Sequence, residues 1–554
     1  MSITAELFRV DNLSRFVGIF IGLFSLLTVI YSSGFMRKRK GMVSYYLCII
    51  LTLAASLGAV FSNNLIVFVV FWGFLGLLLY LLIGFGQKER TSSTAKKAFI
   101  IIGGTDALML LGLALIWRIT GTLQMDKMSI ALSSRSAIVA YLCLAAGAFA
   151  KAGAMPFHTW VPDTAEDAPT PVTAFLPASL DKLLGIYFLA RITLDIFVMN
   201  LGMNTLLMAI GSFTIVAAVM MALVQHDLKR LLGYHAVSQV GYMVLGIGTG
   251  NPIGIAGGLF HMLNNTIYKS CLFFGGGAVE KRAKTTNLEK LGGFAKIMPV
   301  TFVTFLIASL AISGVPPFNG FASKWMVYQG VIESGKNGSG FWVVWLIAAM
   351  FGSALTLASF MKLIHAIFLG QPSENQKSKI KNQKSEETSP TMWIPTVILA
   401  TLCVIFGVFA YRIPIALFIE PSIKGMIAYT GVWNANLATI LVLLGIVIGG
   451  LIYKLGNISK NQRVAEAFVG GEVLEKQPDM RVSGTEFYDT IKEMGWIKTI
   501  YKLAERKVFD VYDVGSKITF GFNKLLRYFH SGVLPTYLAW CLLGMGILFY
   551  ILLK

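Results

Sequence analysis

The residues able to carry chemistry stand singly in apolar surroundings. His261, Asn265 and Lys269 recur every four residues in PIGIAGGLFHMLNNTIYKSCLFFGGGAV, 252–279. On a helix this spacing makes one polar stripe about 12 Å long. A row of groups that donate, accept or titrate is what proton relay through a membrane requires. The plainer alternative is a His261 bonded to neighbouring backbone and a Lys269 that snorkels to an interface, although Lys269 lies deep in its segment for that.

A second group lies in AKAGAMPFHTWVPDTAEDAPTPVTAFLPASLDKLLGIYFLA, 150–190, where Lys151, Asp181 and Lys182 sit between apolar runs. Uncompensated charge is costly in hydrocarbon, so such residues face a protein interior or a wet path. Whether Lys151 carries its proton depends on a nearby carboxylate, a dependence useful to a pump. Asp106, in the apolar stretch 98–117, is either that counter-charge or a structural cap. Lys324 ends the segment SGVPPFNGFASK, 313–324, which is too apolar for a solvent loop. Its prolines free backbone carbonyls that only protein or water can satisfy. With Ala168-Pro169-Thr170-Pro171 it predicts two interrupted helices, one in each half of the chain, as in an inverted-repeat transporter with its ion path near the breaks. Lys362 and His365 share a helix face close to a polar tract, so snorkelling is the expected account of them.

The elements that must hold these residues are membrane helices. The 554 residues are 55% hydrophobic and 14% charged, and no soluble domain can be cut from them. Spans of about 20 residues are predicted near 13–33, 42–61, 64–86, 96–118, 135–157, 171–191, 202–225, 231–249, 252–279 and 297–314. Further ones follow near 318–332, 341–369, 391–415, 434–455 and 534–553. The expected fold is all-α, a polytopic membrane protein of about 15 transmembrane helices with inverted repeats, two proline-broken helices and an amphipathic C-terminal segment. The first apolar run follows a polar MSITAELFRVDN and reads as a retained helix rather than a cleaved signal.

The net charge of +19 gathers in short loops: Arg37–Lys40, Lys88–Lys97, Lys229-Arg230 and Lys281–Lys290. All four clusters can face the cytoplasm, the pattern of the positive-inside rule, with lipid headgroups rather than nucleic acid as partners. Cys48, Cys143, Cys271, Cys403 and Cys541 are scattered singly, without the pairing that zinc or iron–sulfur ligation needs. They are expected to be buried hydrophobes. Residues 371–390 are polar enough to predict a flexible loop, and 484–530 alternates apolar and charged residues like a helix lying on a membrane surface.

In order, KAGAMPFHTWVPDTAEDAPTPVTAF, DLKRLLGYHAVSQVGYM, GGLFHMLNNTIYKSCLF and GVPPFNGFASKW resemble the signatures of the antiporter-like, proton-conducting membrane subunits. Respiratory complex I, multisubunit sodium/proton antiporters and membrane-bound energy-converting hydrogenases share that family. The form PASLDKLLGIYFLARI and the segment 484–553 are most similar to the large antiporter-like subunit of Ech-type hydrogenases. The resemblance implies N-terminal helices over 1–60, a first antiporter-like half over 61–250 and a second over 251–370. A polar loop (371–390), further helices (391–455), an amphipathic surface segment (456–533) and a last span (534–554) would complete the chain. The family usually starts further upstream, so a neighbouring subunit would supply that surface.

The resemblance also implies roles. Lys151 matches the central lysine of the first half-channel, Lys229 the lysine after Asp227, His261 and Lys269 the central relay, Lys324 the lysine at the second broken helix, and Asp106 an acidic position on the helix before Lys151. Three positions depart from the pattern. Gly73 follows Trp72 where the family has glutamate, Pro177 stands for a histidine, and Asn265 for the second histidine of the relay. A buried unpaired lysine is costly, so Asp181-Lys182 is expected to substitute for the missing groups.

The function implied is H+ or Na+ translocation by a membrane subunit of a redox-driven complex, a membrane-bound hydrogenase in the prokaryotic cell membrane. This chain would hold no cofactor; Ni-Fe and Fe-S centres would lie in partner subunits, with other membrane subunits and a peripheral electron-transfer arm. The alternatives are a subunit of a redox-independent multisubunit Na+/H+ antiporter or of complex I, or a scaffold whose channel has decayed.

Overall fold

The computed structural model describes residues 7–37, 39–370, 387–423, 425–429, 435–456, 485, 488–530 and 532–553. It divides into Met1–Glu493 and Met494–Lys554.

The first unit opens at Asp11, which accepts a hydrogen bond from Ser14 N at 2.9 Å while Ser14 Oγ accepts from Asp11 N at 2.8 Å. This reciprocal cap satisfies backbone donors that a helix start leaves over, and α1 (Asn12–Phe35) follows. Then come α2 (Met42–Phe61), α3 (Leu65–Ile83), α4 (Thr91–Thr120), α5 (Arg135–Ala152), α6 (Trp160–Asp167), α7 (Thr170–Phe175) and α8 (Asp181–Arg191). The second half holds α9 (Leu201–Leu223), α10 (Leu228–Gly248), α11 (Pro252–Ala283), α12 (Pro299–Ser313), α13 (Asn319–Lys336) and α14 (Trp342–Ile364). After these lie α15 (Pro390–Val408), α16 (Ala435–Leu455) and the single turn α17 (Asp489–Lys492). A short parallel pair, β1 (Ile130–Ala131) and β2 (Phe197–Val198), joins the loop before α5 to the loop before α9.

The protein is a multi-pass membrane protein of the all-α class. Ten helices among the described residues are long and apolar enough to cross a membrane, so the expected fifteen is not the number found. The difference lies partly in the centre. Polar residues lower the hydropathy of α10 and α11, which are long enough to cross but not among the ten. These two helices do not meet lipid: Ile253–Val279 is buried without interruption, and in α10 every residue but Arg230 is buried.

The first half is broken earlier as well as where the sequence pointed. α5 stops at Gly153 (φ 75), with Pro156 three residues on, and α12 stops at Gly314 (φ 80), with Pro317 three residues on. A left-handed residue at a helix C-cap costs glycine least, so the two halves use one device. Ala168–Pro171 is a second interruption, between α6, which ends at Asp167, and α7, with Pro169 as N-cap, where a missing N–H removes no hydrogen bond. Pro177 falls in the π-turn Leu176–Leu180 that joins α7 to α8.

Of the polar tract 371–390, residues 371–386 lie outside the described residues. Glu387 is described, and its carboxylate caps α12 by accepting from Val300 N at 2.9 Å and Thr301 Oγ1 at 2.5 Å. Much of the amphipathic segment expected over 456–533 likewise lies outside the described residues, but the second unit contains α18 (Gly495–Glu505) and α19 (Val511–Phe529), then α20 (Leu534–Leu552). No residue of α20 is buried, which leaves Cys541 exposed, unlike the other four cysteines and contrary to expectation.

Candidate functional site

Lys151 lies in the last turn of α5, fully buried, with its Nζ 5.2 Å over the Trp72 ring of α3 and no hydrogen-bond partner. Asp181, the first residue of α8, and Asp106, on α4, both act on its charge. Each carboxylate also has an unpartnered buried oxygen, Asp181 Oδ2 and Asp106 Oδ1. The structure thus gathers the first group around Lys151. Lys182 Nζ donates to the Ala152 carbonyl at the C-terminus of α5, where a cation is favoured by the helix dipole. Gly153 leaves it room: a Cβ there would stand 3.0 Å from that Nζ. A Cβ at Gly73 would meet nothing within 4 Å among the described residues.

The stripe on α11 is as spaced: His261, Asn265 and Lys269 are all fully buried. His261 Nδ1 lies 2.9 Å from Ser323 Oγ on α13, and its Nε2 lies 3.1 Å from Gln239 Oε1 on α10. Lys269 Nζ donates to Leu232 O on α10 at 2.9 Å. Both amide atoms of Asn265 lack a partner, as do both of Asn319 at the start of α13. Lys324 Nζ donates to Ile312 O at 2.9 Å and sits 4.8 Å over the Tyr242 ring. Among the described residues, no carboxylate lies within 4.0 Å of the Nζ of Lys151, Lys182, Lys269 or Lys324.

Lys229 is set apart from these, at the lysine-rich face. Its Nζ reaches Ala168 O at 3.1 Å and Glu280 Oε1 at 3.4 Å. Around it α6 presents three acids to two helices, α4 and α10: Asp163 to Lys97 at 2.8 Å, Asp167 to Thr94 Oγ1 at 2.6 Å, and Glu166 to Arg230 at 2.8 Å. Burial pushes the Glu166 carboxyl up, but the Arg230 hydrogen bond and charge, with Lys88 and Arg90, outweigh it and hold the group below its ordinary range. At the opposite face a cavity is lined by Arg9, Asp11, Ser62, Asn63, Met125, Arg191 and Asp195. Burial again pushes Asp11 up, yet Arg191, 2.5 Å away, and Ser14 hold it at about 2.

One side chain escaped the sequence reading, and another was read wrongly. His235, on α10, places Nε2 2.7 Å from Ser359 Oγ of α14 and is fully buried. It falls one turn before Gln239, and that i, i+4 pair was the signal available. Lys362 does not snorkel: it is fully buried, and its Nζ donates to Leu223 O at 2.7 Å and Gln225 O at 3.1 Å.

A family model described as NADH:quinone oxidoreductase/Mrp antiporter, transmembrane, matches residues 62–356, just over half of the chain. The chain belongs to that family. It is 32% identical over 448 residues to the Na(+)/H(+) antiporter A1 subunit of Staphylococcus haemolyticus, covering 77% of this chain and 54% of that protein. To a Na(+)/H(+) antiporter subunit of Alkalihalophilus pseudofirmus it is 30% identical over 483 residues, with 80% and 58% covered. The chain thus spans little more than half the length of these curated relatives. Its fold is like that of a chain in the Mrp complex from Dietzia sp. DQ12-45-1b, with TM-score 0.66 and 23% identity over 75% of this chain and 83% of that one. It is also like a chain of the membrane-bound sulfane sulfur reductase, an archaeal respiratory membrane complex, with TM-score 0.79 and 23% identity over 98% and 89%. As an antiporter-like membrane subunit, the chain has structural neighbours that are parts of multisubunit membrane complexes.

Proposed function

We propose that the chain is the ion-translocating subunit of a multisubunit Na+/H+ antiporter and moves protons along the buried row from Lys151 through Lys269 to Lys324. The observation that carries this is that these lysines sit fully inside a membrane protein with no carboxylate at ion-pair distance. An ammonium so placed gains little compensation, so its charge depends on neighbours that themselves change. Asp181, Asp106, Asn265 and Asn319 also have unpartnered buried atoms, and buried polar groups without protein partners are met by water. Side chains and water together make a proton conduit. The names of the relatives support Na+/H+ exchange over the redox-driven hydrogenase expected from the sequence.

A redox-driven complex is the second reading, favoured by the fuller overlap with the sulfane sulfur reductase chain. Ni-Fe and Fe-S centres would then belong to copurifying subunits. The intact complex in proteoliposomes decides between them. Proton movement on imposing a Na+ gradient with no electron donor supports the antiporter, whereas movement only with a reductant supports the second reading and overturns the first.

A further inference from the structure

The helix α14 carries a polar face that the row above does not use. Lys362 lies one turn from Ser359, so the two share a face. Ser359 Oγ meets His235 Nε2 at 2.7 Å, unlike Thr356 on the same helix, whose hydroxyl returns to Gly352 O at 2.7 Å. His235 in turn packs its ring 4.8 Å from Phe360, the ring over which Lys269 Nζ sits at 5.7 Å. His235 Nδ1 has no hydrogen-bond partner.

At its other end Lys362, itself fully buried, meets a loop that leads to the surface. Its acceptors, Leu223 O and Gln225 O, end α9 and open the loop into α10. The next residue, His226, is half-exposed and places Nδ1 2.9 Å from Glu289 Oε1. This loop pairs with the loop after α11 through Leu228 N to Thr286 O and Leu288 N to His226 O, both 2.9 Å. Lys229, Arg230, Lys281, Arg282, Lys284 and Lys290 crowd the same end, which the positive-inside rule puts at the cytoplasm.

We infer that Lys362, Ser359 and His235 form a proton-uptake branch from the cytoplasmic surface to Lys269, an inference resting on the ion-translocating reading above. Neutral Lys362 takes a proton at Nζ. When the ammonium releases it to Ser359 Oγ, the hydroxyl passes its own proton to His235 Nε2, and the His235 Nδ1 proton passes through water to the neutral amine of Lys269. Each N–H or O–H bond broken is matched by one formed, and one proton has moved inward. Gln239, one turn further along α10, accepts from His261 and leads on to the α11 stripe.

The competing account is that Lys362 only caps the C-terminus of α9. Arginine separates the two, because it can still donate to both carbonyls but does not release a proton. In proteoliposomes of the intact complex, Lys362→Arg is expected to assemble and melt like wild type while proton uptake slows about tenfold or more. Ser359→Ala, which leaves the cap alone, is expected to slow uptake several-fold. Wild-type uptake in either variant overturns the branch, and Ser359→Ala decides by itself if the arginine variant does not assemble. If the wild-type complex moves no protons, or Lys269→Ala moves them normally, the functional reading beneath the branch fails instead.

Discussion

Lys324 Nζ donates to Ile312 O at 2.9 Å, a bond that ties the start of α13 to the broken end of α12. Lys182 stands in the same relation to Ala152 at the end of α5. Each half of the molecule therefore closes a helix break with a buried ammonium on a carbonyl that the helix cannot satisfy itself.

Replacing Lys324 with methionine leaves that carbonyl without its donor, at a cost of about 1–3 kcal/mol, and removes a titratable group from the row. Thermal melting of the purified complex should drop and ion flux in proteoliposomes should be lost. Unchanged flux would show that Lys324 is a cap and nothing more.

Asp181 is a fully buried carboxylate whose Oδ2 has no hydrogen-bond partner. Asp181→Asn keeps the shape and removes the charge, so transport should fall about tenfold or more while the subunits still copurify. Transport at the wild-type rate would take Asp181 out of the mechanism.

Gly153→Ala forces a left-handed alanine, at about 1–2 kcal/mol, and sets its Cβ 2.6 Å from Val161 Cγ2 and 3.0 Å from Lys182 Nζ. The variant should melt lower than wild type and transport more slowly because Lys182 is displaced. At Gly314 the nearest atom is Lys324 Cδ at 3.1 Å, so Gly314→Ala should be the milder change by the same melting assay.

The outer ion pair predicts a pH dependence. The Asp11 carboxyl is lowered from 3.8 to about 2 in the folded protein, so its contribution to stability is full above the unfolded value and is lost as pH falls through the folded one. Allowing for solvent screening of this half-buried group, about 1–2 kcal/mol is at stake. Melting temperatures of wild type and Asp11→Asn should therefore differ at pH 6 and converge between about pH 4 and pH 2. A constant difference down to pH 2 would contradict this.

Much of this was legible in the sequence because a charged or amide side chain in an apolar run has few places to go. His261, Asn265 and Lys269 announced their stripe by spacing alone, and Lys151 and Asp181 by their surroundings. The partners were not legible. Lys362 lies near a polar tract in sequence, which suggested snorkelling, but its acceptors Leu223 and Gln225 are brought to it by the packing of α9 against α14. Pro169 and Pro171 marked the interruption between α6 and α7, while Gly153 shows its role only through its φ. The missing glutamate at Gly73 was visible, and the fold adds only that a Cβ there stands in open space.

The most direct test of the central claim is the initial rate of Na+-driven proton movement into proteoliposomes containing the intact complex, compared between wild type and Lys269→Ala. A titratable conduit through the buried row predicts that the alanine variant assembles fully and loses at least about nine-tenths of the rate. A fully assembled Lys269→Ala complex that moves protons as fast as wild type would contradict it.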